Sequence, residues 1–384
     1  MSGLLRWAAI MIAAGLVFVS AGCGPDRDDE SLFVSNVQAN EAMSDARQTL
    51  YRHAQSSDGE ARTRALETLG MMVGPEAGAV LAENLDHPAV AVRFAAAMGV
   101  GDCRYTPALP KLRAMLAAET TDPSVQCAAI YALHRMGDDS CTHRLAAVLY
   151  DGTPEARANA ALVMAKLGVP AAERPLADRL KTEKDQRVVL QIAESLAALR
   201  HRSSYGILAA KAWIGEPHEQ MLAVQALGRT RTEQARGALM QAFDPERPPP
   251  IRLAAAAGLA KLGDRRGLGI SLQAIRDPQK FARESFGQPV TLNDAQVGQY
   301  KTLASLALGE MGLPGAVDVL LPLLSDPDPT VAIAAAKAIL NLLSPGVPAA
   351  QPALTVPAPL PATTQAAPPP SEPGAILRTA PPQE

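Results

Sequence analysis

His218 and Glu219, adjacent in "GEPHEQ", are residue types that hold a divalent metal or move a proton. A metal centre needs three or more such groups converging, and none of the six histidines stands at His-x-x-x-His spacing with another. A second candidate is "GDRR", Gly263 to Arg266, where a glycine, a carboxylate and two guanidiniums have the composition of a phosphate cradle or a catalytic loop. No Gly-x-Ser-x-Gly nucleophile turn, Walker loop or strand-associated glycine fingerprint accompanies either one. His143-Arg144 and Lys181 fit a solvated helix face better than a site.

Whether "GDRR" is chemistry or punctuation depends on recurrence. A small-large pair precedes Leu-Gly or Met-Gly by two residues throughout the chain, as in Ala65-Leu66 before Leu69-Gly70 and Gly258-Leu259 before Leu262-Gly263. Its large members are Leu66, Met98, Leu133, Met164, Leu196, Leu227, Leu259, Leu308 and Ile339, with steps of 32, 35, 31, 32, 31, 32, 49 and 31 residues. Chance does not produce that ladder. The long step places an insertion near residues 277–297. Gly263-Asp264 recurs as Gly137-Asp138 and loses its aspartate elsewhere, so it is punctuation.

Each unit reads as two helices. The first carries an apolar face at i, i+3 and i+4, as in Leu253, Ala256, Leu259 and Leu262. The glycine that follows suits the left-handed residue that ends a helix. A second amphipathic helix such as "TEQARGALMQAF" comes next, and Asp-Pro commonly opens the following unit, at Asp122, Asp244, Asp277 and Asp326. One pair cannot bury its own face, so neighbours must stack. Composition agrees, with 48% apolar residues, mostly small, and only 4% aromatic. The expected fold is an all-α solenoid of about eight to nine helix pairs over residues 59–344, after a capping helix within 36–58.

The pattern resembles HEAT repeats, in particular the phycobilisome-lyase type. That resemblance implies a scaffold whose second helices line a concave face for a protein or peptide partner. Those helices carry Lys111, Arg113, Arg144, Arg174, Arg179, Lys211, Arg236, Arg265 and Arg276, interleaved with Glu76, Asp178 and Glu233. Lys211, Arg179, Arg144 and Arg236 are the candidate contacts, and Trp213 is the sharpest. It either fills the gap between Ala-rich repeats or anchors a partner. Deoxyhypusine hydroxylases, which share the repeat, bind two irons through several His-Glu pairs; one pair here is too few ligands. The expectation is a non-enzyme without cofactor, metal or small-molecule substrate. The alternative is a HEAT-like metal-dependent oxidoreductase or a phycobilin-lyase-like enzyme.

The chain ends lie outside the array. Arg6 precedes the apolar run Trp7 to Val19, which has signal-peptide length, and Ser20-Ala21-Gly22-Cys23 follows. This resembles a bacterial lipobox, which implies a leader over 1–22 and a lipid on Cys23. Ser20 departs from the aliphatic residue usual at its position. Residues 23–35 then form an acidic tether, and the protein is expected as a periplasm-facing lipoprotein of the cell membrane or outer membrane. Past residue 344 the chain is Pro/Ala-rich, the composition of an extended, disordered tail. A net charge of −3 supplies no basic field for nucleic acid. With Cys23 lipidated, Cys103, Cys127 and Cys141 remain. Cys103 and Cys141 occupy matching turns of adjacent units and are candidates to pair, provided their offsets bring about 10 Å between repeats down to the 4.4–6.8 Å a disulfide spans.

Overall fold

The computed structural model describes residues 36–287 and 290–344, and within them every regular element is helical. The chain opens with α1 (Asn36–His53), α2 (Gly59–Met72), α3 (Gly78–Glu83), α4 (Val90–Cys103) and α5 (Leu109–Ala117). It continues through α6 (Pro123–Arg135), α7 (Arg144–Asp151), α8 (Pro154–Leu167), α9 (Glu173–Thr182), α10 (Gln186–Ala198) and α11 (Arg202–Trp213). Then follow α12 (Pro217–Thr230), α13 (Glu233–Ala242), α14 (Pro249–Ala260) and α15 (Leu268–Arg276). The last are α16 (Pro278–Phe286), α17 (Asp294–Glu310), α18 (Val317–Leu320) and α19 (Pro329–Leu343). This is an all-α solenoid. The insertion forms α16, and Cys23, the leader expected over 1–22, the tether expected over 23–35 and the tail expected past residue 344 lie outside the described residues.

Local chemistry sets the helix starts. Asp58 accepts a hydrogen bond from Glu60 N at 2.9 Å, Asp122 from Ser124 N at 2.8 Å and Asp185 from Arg187 N at 2.9 Å. Asn293 and Gln296 form a capping box on α17. Of the Asp-Pro pairs, Asp122 opens α6 and Asp277 opens the inserted α16. Asp244 instead turns a loop, and Asp328 rather than Asp326 caps α19.

Helix ends follow the repeat more strictly than residue type suggests. Gly137, Gly168, Gly263 and Gly312 are left-handed, and so are Arg104, Arg200 and Arg231 at the equivalent places. A side chain in that conformation costs about 1–2 kcal/mol, so stacking of neighbours imposes the turn. Gly70 departs from the expected pattern. Helix α2 runs on through it to Met72, and the left-handed residue is Gly74.

Gly70 has another task. A Cβ there would stand 2.4 Å from the Cα of Gly99, and a Cβ on Gly228 would stand 2.6 Å from the Cα of Gly258. On Gly309 it would meet the Cα of Ala338 at 2.7 Å. The first helices therefore touch backbone to backbone, and the second helices lie outside them. The series α2, α4, α6, α8, α10, α12, α14, α17, α19 curves until α19 packs against α2. The nine first helices close into a ring.

Helix α1 is not a cap on an open end, as its polar sequence suggests. Its stripe of Ala42, Ala46, Leu50 and Ala54 is buried, mostly against α19. Among the described residues no second helix follows α19, and α1 packs against it from the other end. An open array exposes two apolar faces; this exchange covers both.

Two glycine substitutions separate backbone contact from helix propensity. Gly70→Ala is expected to destabilise by about 1–3 kcal/mol through overpacking against Gly99. Gly237→Ala, on α13 with nothing near its Cβ, should stabilise by about 0.5–1 kcal/mol. Urea unfolding of both variants checks the opposite signs.

Candidate functional site

Closure creates a lumen. A cavity of about 520 Å³ opens between α2, α4, α8, α10 and α12, mostly on the C-terminal halves of these helices, with Phe94 and Gln191 nearer the N-terminal ends of theirs. Its wall is largely apolar, built from Met71, Phe94, Met98, Leu162 and Ala165. Met71 is 49% exposed and adjoins the half-buried Phe94 in this wall. A second cavity of about 290 Å³ lies at the N-terminal turns of α10 and α12 and is lined by Arg187, Leu190, Lys211, His218, Glu219 and Leu222. The two meet at Arg229 and Glu194, which line both.

Charges of both signs point inward. Lys166 on α8 bonds Asp102 on α4 at 2.9 Å, reaching past α6, and lies 4.9 Å from the ring centre of Tyr131. The Tyr131 hydroxyl donates to the same carboxylate. Arg229 pairs with Glu194, and Lys261 with Glu310 at 3.6 Å. Lys337 on α19 and Glu67 on α2 face this network without an ion pair of their own. Enclosure by protein lowers the pKa values of Lys261 and Lys337, against the pull of Glu310, and raises that of Glu67, against Lys337. Glu67 is exposed to solvent at the edge of the cavity.

Sequence profiles for HEAT repeats match residues 84–152 and 316–344. The fold is a HEAT-like repeat array. Human deoxyhypusine hydroxylase, solved in complex with glycerol, is similar at 17% identity over 80% of this chain and 97% of that one. Its TM-score of 0.33 makes the likeness too distant to bear on activity. No curated protein matches the chain.

The HEAT-like units place the expected contact residues away from the lumen, with one exception. The resemblance implies that second helices line the concave side; here the tight backbone contacts lie between first helices, so those line it instead. Arg144 donates to the Leu116 carbonyl at 3.3 Å and to Gln126 at 3.0 Å. Arg179 donates to the Tyr150 carbonyl at 3.5 Å, and Arg236 to that of Leu262 at 3.0 Å. Arg265 of "GDRR" donates to the Met311 carbonyl at 2.8 Å, across the insertion. These carbonyls end helices of adjacent units and carry partial negative charge, so the basic lean staples repeat to repeat. Lys211 is the exception. It bonds Gln186 at 2.7 Å and Glu219 at 3.5 Å at the mouth of the lumen.

Trp213 is 47% exposed on the outer side. Its indole N–H donates to Gln241 at 3.0 Å, and the Arg247 guanidinium lies 4.6 Å from its ring centre. The ring thus bridges α11, α13 and the segment before α14. His218 and Glu219 mark the start of α12 and line the mouth. Among the described residues, no three His, Cys, Asp or Glu side chains converge on a point where a metal would sit. Cys103 and Cys141 do not pair: the buried Cys103 thiol faces back to the Val100 carbonyl of its own helix, at 3.6 Å, and both are free. Among the described residues, no helix is long and apolar enough to cross a membrane.

Sequence reasoning missed the lumen residues Glu67, Asp102, Lys166, Glu194 and Arg229. A signal existed: Lys166, Arg229, Lys261 and Glu310 each follow the ladder's large residue by two, charges recurring within helices otherwise apolar.

The firmest electrostatic joint is outside the lumen. Glu183, with its side chain 1% exposed, accepts from Arg157 at 2.7 Å and from Arg179 at 2.9 Å. Hydrogen bonds from Arg157 above all, then from the Asp185 amide and Arg179, lower its carboxyl from 4.5 to about 2, against the effect of burial. A depressed folded pKa contributes stability above the unfolded value, lost as pH falls through the folded one. The parent protein should therefore lose this contribution between pH 4.5 and about 2. Glu183→Gln should be about 3 kcal/mol less stable at neutral pH and lack that acid-dependent loss, as urea unfolding across pH would register.

Proposed function

We propose that the protein is a membrane-anchored, non-enzymatic HEAT-like scaffold of the cell envelope that receives an extended segment of a protein partner in its lumen. The observation that carries this reading is the apolar cavity wall, with Met71 exposed, Phe94 half-buried and Met98 at its base, among lumen charges that are mostly paired. Such a surface suits a peptide with alternating apolar and polar side chains. It does not concentrate one sign of charge, as nucleic acid recognition requires.

A lipid on Cys23 is the anchor in this reading. Residues 23–35 would then hold the ring within ~45 Å of the membrane at full extension. Cys23→Ser should accumulate unprocessed precursor and lose acyl labelling; equal labelling of mutant and parent refutes the anchor.

A benzophenone amino acid at Phe94, introduced in living cells, should capture a protein that the same probe at Tyr150 on the outer helix α7 does not. Equal capture at both positions, or none at Phe94, removes the lumen from the mechanism. Stoichiometric iron or a bound chromophore in the purified protein would replace the scaffold with the oxidoreductase or lyase-like reading.

A further inference from the structure

We infer that, without a partner, the lumen takes the chain's own C-terminal tail, with Ile376 and Leu377 against the apolar wall and Arg378 on Glu67. The inference rests on the reading of the lumen as a peptide site and deepens it, making the tail a built-in competitor.

Three observations converge. First, the larger cavity has five charged lining residues, of which Asp102 pairs with Lys166 and Glu194 with Arg229. Glu67 is left without a cation in ion-pairing range, beside Met71. A guanidinium suits a carboxylate that lacks a cation partner, by two parallel charge-assisted hydrogen bonds. Second, α19 is itself a stave of the ring. It ends at Leu343, on the rim where the C-terminal ends of the first helices and the larger cavity lie, and 40 residues follow Ser344. Third, those 40 residues contain one basic side chain, Arg378, directly after Ile376-Leu377, the tail's only adjacent pair of large aliphatics. Charge and apolar surface thus complement the wall in the order required.

Reach is no obstacle. The 34 residues from Ser344 to Arg378 reach up to about 105 Å when extended at about 3.1 Å per residue, as proline-rich segments are. Tethering at that length gives an effective concentration on the order of millimolar, enough for a weak contact to fill the site. A segment this rich in proline enters extended, with little ordering cost. The tail then sets the threshold a partner must exceed.

The test uses the purified full-length chain with a benzophenone amino acid replacing Leu377. Intramolecular crosslinks are expected on Met71, Phe94 or Met98. Glu67→Gln, which keeps the side chain's shape, should lower their yield about tenfold, and Glu67→Lys should abolish it. Glu67→Lys combined with Arg378→Glu should restore it. Crosslinks on the outer helices or between molecules, or lumen crosslinks unaffected by Glu67→Gln, overturn the inference. If the tail probe misses the lumen while the Phe94 probe still captures a partner in cells, the tail is excluded and the peptide-site reading stands. Failure of both removes the reading as well.

Discussion

Backbone contact between neighbouring first helices is the constraint from which the rest of the architecture follows. Gly70 against Gly99, Gly228 against Gly258 and Gly309 against Ala338 allow no side chain between them. Second helices carry larger residues at their interfaces, among them Leu112, Leu145, Leu149 and Leu176. A unit that is thin inside and thick outside turns the array by a fixed angle at each step. Repeated nine times, that angle brings α19 to α2. The small-residue bias that looks at first like a plain helix-forming composition is therefore a curvature setting. The arginine staples act on the other side, joining outer helices to the carbonyl ends of adjacent units so that the splayed edge does not open.

Closure changes what the chain ends mean. Linear repeat arrays need polar end units to shield their terminal faces. In this ring the shield is the exchange of α1 onto α19, and the narrow Ala/Leu stripe of α1 is sufficient because it covers a single helix. Stability that is local in an open array becomes shared, since the loss of α1 uncovers the last unit as well as the first. Residues 23–35 lead in sequence into α1, so the proposed anchor would be tethered to the helix that fastens the ring.

The ladder of large residues was legible because repeat period and helix phase are local properties, written in every unit. Its direction of curvature was not. Which helix of each pair turns inward depends on contacts between residues such as Gly70 and Gly99, about one unit apart, and Gly70 reads equally well as a helix stop. The family resemblance pointed to the second helices and so to Arg144, Arg179 and Arg236, which the structure uses as staples. Arg104, Arg200 and Arg231 show the reverse case, where local residue type argues against a left-handed turn that packing imposes. Lys211 and His218 were found for reasons unrelated to the lumen they border.

A ring with charges inside must offset the loss of water around them, and here alternation of sign does so. Around the lumen, Glu67 is followed by Lys337, Glu310 and Lys261, and farther on Arg229 faces Glu194 and Lys166 faces Asp102. Each charge has an opposite one nearby, so the set is tolerable without full hydration. Glu67 differs in having no cation within ion-pairing distance, and enclosure by protein raises its carboxyl pKa against the pull of Lys337. In the proposed reading, an apolar wall alone would accept any greasy segment, whereas one unmatched carboxylate at its edge would favour a segment that carries a cation beside its apolar residues.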